Sequence, residues 1–113
     1  MADSYYHHDS SKHLRKLRQL KPDLFASFIE FDKKAFEEGA LNVKTKRIIA
    51  VAAAHITQCA FCIDVHTRQA KKAGASDEEL AEAIFLAMAL RAGAAFAHGA
   101  IAMEATEKLT KDT

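Results

Sequence analysis

The stretch His55-Ile-Thr-Gln-Cys59-Ala-Phe-Cys62-Ile-Asp-Val-His66 sets two cysteines three residues apart, with a histidine four residues before and four after them. At about 3.6 residues per turn, these steps keep side chains on one face of a helix. Thr57-Gln58 is a weak break in that face. If the chain turns there, Cys62 falls in the first turn of a new helix and His66 still lies one turn beyond it. Cysteines so spaced can close a disulfide across a turn, one thiolate attacking a substrate and the other resolving the mixed product. The attacking thiol needs a pKa below its free value of ~8.5. Unpaired backbone N–H groups in a helix's first turn favour negative charge there. His66 can accept a proton or, as imidazolium, stabilise the thiolate.

Other readings of these residues stay open. Two cysteines in an alanine-rich core can be simply small hydrophobes. His55, Cys59, Cys62 and His66 are also the right donors for zinc, but one continuous helix points them the same way and cannot surround a tetrahedral ion. No metal or bound cofactor is therefore expected. The candidate catalytic set is Cys59, Cys62, His66 and His55, the last as a second proton carrier or a packed core histidine. His98 reads as a packing histidine and Asp64 as a helix-terminus charge.

Working outward, breakers fall between periodic apolar stretches, and no strand is expected. Residues 10–20 form a first helix, and Pro22 suits the first turn of a second. Phe25, Phe28, Ile29, Asp32 and Phe36 follow helical spacing toward a stop at Gly39. Asn42 is an N-cap for a helix to about Thr57, and a short helix carries Cys62 to Lys72 before Gly74. Ser76 and Glu79 form a capping-box pattern that opens a helix to about Arg91. A last helix runs from about Gly93 to Lys108, and its small residues suit either tight internal packing or a subunit contact. The expectation is a compact all-α domain of five to six helices over residues 10–113, with residues 1–9 a flexible tail.

The 113 residues carry 16 basic and 15 acidic side chains with no block of like charge and no tryptophan, which argues against nucleic-acid binding. The first 13 residues are polar, unlike a secretory leader. The longest weakly polar run, Ile48–Thr57, is too short to span a bilayer. A cytoplasmic protein that binds no membrane is the expectation, and in a reducing compartment a cysteine pair points to catalysis or metal rather than a structural staple.

Three segments carry a resemblance: Lys46-Arg-Ile-Ile-Ala-Val-Ala-Ala-Ala54, Cys59-Ala-Phe-Cys-Ile-Asp-Val-His-Thr-Arg68 and Ala73-Gly-Ala-Ser76. Through them the chain resembles the carboxymuconolactone decarboxylase family, in its alkyl hydroperoxidase D-like branch. The resemblance implies an all-α fold that assembles through helical faces into a homotrimer or homohexamer. It also implies thiol peroxidase or disulfide reductase activity, with Cys62 attacking, Cys59 resolving and His66 in a proton relay. The substrate would be a hydroperoxide or a disulfide, and the reductant an external dithiol or disulfide-carrier protein. One position departs from the pattern: the family's relay glutamate corresponds to Arg47, a cation that cannot accept the proton. His55, one turn before Cys59, is the expected replacement. A non-redox enzyme acting on a small lactone or keto acid, or a non-catalytic redox-sensing module, are the alternatives.

Overall fold

The computed structural model describes residues 10–112, and these form five helices: α1 (Ser10–Leu20), α2 (Pro22–Ala35), α3 (Val43–Thr57), α4 (Ala60–Lys72) and α5 (Asp77–Asp112). The tail expected at residues 1–9 lies outside the described residues. Several boundaries follow from the anticipated side chains. Pro22 occupies the first turn of α2, where its missing N–H has no partner to lose. Asn42 accepts the Thr45 N–H at 2.8 Å and caps α3. At the start of α5, the Ser76 N–H donates to Glu79 Oε1 at 2.8 Å while the Glu79 N–H donates to Ser76 Oγ at 3.1 Å, a reciprocal cap. Gly74 ends α4 at φ +100°. The Ala75 N–H then reaches Ala70 O at 2.9 Å and the Gly74 N–H reaches Lys71 O at 3.0 Å, the Schellman pairing that a left-handed residue permits.

Two boundaries differ from the sequence expectation. α2 stops at Ala35 rather than Gly39, because Lys46 crosses from α3 and donates Nζ to Ala35 O at 2.9 Å and to Glu37 O. The break expected near Ala92-Gly93 is absent: α5 is one helix of 36 residues. A glycine costs only about 1 kcal/mol in a helix interior, and the alanines around Gly93 favour continuation.

The core is small and lies where α4 and α5 pack on α3. Val51, Ala70, Ala75 and Leu80 form its buried centre, with Ile48 and Ile84 against it. Ala54, Ala83 and Ala87 are buried as well. Arg91 fastens the far edge by donating Nη1 to Ile56 O at 2.8 Å, one of the carbonyls that α3 leaves without a helical partner. Past Ala87 no described side chain of α5 is buried, and α2 buries none. Among the described residues the small-residue segment is therefore not tightly packed within the chain; a Cβ at Gly93 or Gly99 would meet nothing within 4 Å. The radius of gyration is 19.4 Å, against about 13 Å for a compact chain of this length.

Among the described residues, α5 is long and apolar enough to cross a membrane by length and composition, a property the shorter Ile48–Thr57 run lacks. Its first half, however, is committed to α3 through Leu80, Ala83, Ala87 and Arg91.

Candidate active site

The site begins at the junction of α3 and α4. Gln58 adopts the left-handed conformation (φ 59°, ψ 44°) that ends α3, and Cys59 follows in extended geometry as the N-cap of α4. The weak break read at Thr57-Gln58 is thus a real turn, and α4 begins at Ala60, two residues before the expected Cys62. Cys59 Sγ accepts the Cys62 N–H at 3.2 Å. The two cysteines are joined as a disulfide with Cα atoms 5.2 Å apart. Both are half-buried, and Phe61 between them is half exposed. Cys62 sits in the first turn of α4, where backbone N–H groups lack helical acceptors and the helix dipole favours a thiolate.

His66 lies one turn further along α4. Its ring stacks on Phe36, centroids 5.6 Å apart at 19°, and the Arg47 guanidinium covers the Phe36 ring at 4.0 Å from its centroid. Desolvation holds the His66 pKa below the ordinary imidazole value, the Arg47 charge lowers it further, and the Asp32 carboxylate opposes them. His66 is therefore neutral near pH 7, suited to accepting a proton rather than to pairing with a thiolate as a cation. Its Nδ1 is buried without a hydrogen-bond partner.

The structure separates the other histidines from this stack. His55 turns toward α5: its Nδ1 lies 2.8 Å from Val51 O, and its ring lines a cavity with Ile84, Ala87, Met88 and Arg91. Val51 O can only accept, so Nδ1 donates to it. His98 is exposed rather than packed, beside Ile56, Leu90 and Arg91. Asp64 is exposed and pairs with Arg68 at 3.2 Å. His7 and His8 lie outside the described residues. No three histidine, cysteine or carboxylate side chains among the described residues converge as metal ligands.

Phe36 and Asp32 were not singled out for the site by sequence. Their spacing of four residues put both on one face of α2, but nothing local indicated that this face meets α4.

A five-helix fold with a Cys-x-x-Cys disulfide at a helix N-terminus and a stacked histidine one turn on defines a class of small helical proteins able to carry thiol–disulfide chemistry. Comparison narrows the class: the chain belongs to the carboxymuconolactone decarboxylase family, whose model matches residues 22–105. A protein of the cox locus of Paracoccus denitrificans is 43% identical over 83 residues, 74% of this chain and 75% of that one. A family member from Legionella pneumophila has a similar structure, with TM-score 0.70 and 35% identity over 94% of this chain and 96% of that one. A second, from Thermotoga maritima, superposes with TM-score 0.54 and 30% identity over 71% of this chain and 92% of that one. For that protein a role in an antioxidative response has been suggested.

Proposed function

We propose that the chain is a thiol–disulfide oxidoreductase of the alkyl hydroperoxidase D-like kind, reducing hydroperoxides or disulfides at the Cys59–Cys62 pair. The observation that carries this reading is the closure of the pair across the first turn of α4 with His66 one turn beyond. In the reduced protein, the Cys62 thiolate attacks the terminal peroxide oxygen and the O–O bond breaks. An alkoxide leaves and takes a proton, giving an alcohol and a sulfenic acid on Cys62. The Cys59 thiolate then attacks the Cys62 sulfur, the S–O bond breaks, and water departs with one further proton. The resulting disulfide is the form of the pair described above. An external dithiol returns two electrons and two protons by exchange. Neutral His66 takes the proton from Cys62 and hands it to the leaving oxygen. No bound cofactor is needed.

The working form in this reading is a homo-oligomer, a trimer or hexamer. Eighteen large apolar side chains are exposed among the described residues, including Phe96 at 88% and Phe31 at 73%. Exposed apolar side chains that gather into large patches mark contacts between proteins.

The test is turnover of an organic hydroperoxide with a dithiol. Cys62→Ser should abolish it. Cys59→Ser should allow one oxidation and leave a sulfenic acid that a dimedone probe captures on Cys62. Undiminished turnover in the Cys59→Ser/Cys62→Ser double variant would refute the redox reading and favour a proton-transfer enzyme on the same fold.

A further inference from the structure

Exchange between the disulfide and an external dithiol begins at one of two sulfurs. Both cysteines are half-buried, so access does not single out either. The rate also depends on the sulfur that departs, and the thiol with the lower pKa leaves faster. In this respect the two differ. Cys59 is the N-cap of α4, in extended conformation (φ −105°, ψ 99°), and its Sγ accepts the Cys62 N–H at 3.2 Å. That N–H lies in the first turn of α4 and has no carbonyl within the helix to bond. A negative charge on Cys59 Sγ therefore meets a donor already in place, at the positive end of the helix dipole. Among the described residues no hydrogen bond reaches Cys62 Sγ. Nor does His66 lend Cys62 a cation, since desolvation and the Arg47 charge keep that imidazole neutral near pH 7.

We propose that the reductant attacks Cys62 Sγ and that Cys59 is the leaving thiolate, received by the Cys62 N–H at the start of α4. The carrier's thiolate bonds to Cys62 Sγ, the Cys59–Cys62 bond breaks, and its electron pair stays on Cys59. The carrier's second thiolate then attacks the carrier sulfur of the mixed disulfide and expels Cys62 as a thiolate. The carrier leaves as its own disulfide, and the two protons its thiols gave up pass through solvent to Cys59 and Cys62. Oxidation and reduction thus both work through Cys62, with His66 serving the first and the N-cap the second. That this exchange follows peroxide reduction rests on the redox reading above; the choice of sulfur does not.

The experiment treats the oxidised wild type with glutathione, a monothiol with no second thiol to release itself, and quenches at low conversion with N-ethylmaleimide. The tryptic peptide 48–68 holds both cysteines. Its fragment ions broken at Ala60 and Phe61 show which cysteine carries glutathione and which the maleimide. Glutathione on Cys62 with maleimide on Cys59 should outnumber the reverse about tenfold, the scale of one hydrogen bond to a charged group. Ala60→Asp sets a carboxylate next to Cys59 and should shrink the preference, because a like charge disfavours the leaving thiolate. A preference based on access alone would not respond to that change. Glutathione mainly on Cys59, an even division, or a preference that a folded Ala60→Asp variant leaves unchanged would overturn the proposal. No peroxide turnover enters the measurement, so a failed peroxidase assay and a failed choice of sulfur give different results.

Discussion

Phe96 is the most exposed large apolar side chain of the described residues, at 88%, and it lies on the part of α5 where no described side chain is buried. Replacing it with glutamate should dismantle the proposed oligomer while sparing the fold. Burying a phenylalanine contributes about 1.5–3 kcal/mol, and a glutamate at the same place must either leave the interface or shed its water. Loss of about 2 kcal/mol per ring corresponds to roughly 30-fold in an association constant, since about 1.4 kcal/mol is tenfold. Where a symmetric contact buries two such rings, the effect approaches roughly a thousandfold. The core centred on Val51 lies well before this residue on α5, so the helical circular dichroism of Phe96→Glu should be nearly that of the wild type. Size-exclusion chromatography with light scattering over a dilution series reads the outcome: a wild-type oligomer, and a variant that dissociates at far higher concentration. A wild type that stays monomeric, or a variant that assembles undiminished, would refute the argument that a second copy covers α5.

Other expectations follow from the site and the core. His66→Gln should lower peroxide turnover by about 10²-fold, a usual loss for a general acid–base group. His55→Gln should change it little, because that ring faces α5 and is hydrogen-bonded to Val51 O. NMR titration should find the His66 pKa higher in Arg47→Gln and lower still in Asp32→Asn, as the removed charges require. Because folding depresses this pKa, His66 supports stability above the ordinary imidazole range. That support is lost as pH falls through that range toward the folded-state value and the unfolded chain binds the proton first; equilibrium unfolding in urea at several pH values, wild type against His66→Gln, checks the sign. Val51→Ala should lower stability by about 2 kcal/mol in the same assay, since Val51 is fully buried at the centre of the small core.

Much of this was legible in the sequence because it is written locally. Caps and stops act within one turn of their own residue, so Asn42, the Ser76–Glu79 pair, Pro22 and Gly74 marked their helix ends correctly. The cysteine spacing, together with the break at Thr57-Gln58, likewise put Cys62 in a first turn. What escaped depends on pairs distant in the chain. α2 ends early because Lys46 arrives from α3, and α5 runs on because two glycines in an alanine-rich run lack a proline to stop them. The Arg47–Phe36–His66 stack joins three separate stretches of chain, and no short spacing encodes it. His55 illustrates the converse. Its offset from Cys59 suggested a shared helix face, but the left-handed turn at Gln58 breaks that face and leaves His55 directed at α5.

The most direct test of the redox site is the pH dependence of Cys62 alkylation in Cys59→Ser, a variant whose serine is itself a good helix N-cap and should preserve the start of α4. Cys62 should react as a thiolate well below the free value of ~8.5, and peroxide should close the Cys59–Cys62 disulfide in the reduced wild type. Titration of Cys62 near that free value, with no disulfide formed on peroxide addition, would contradict it.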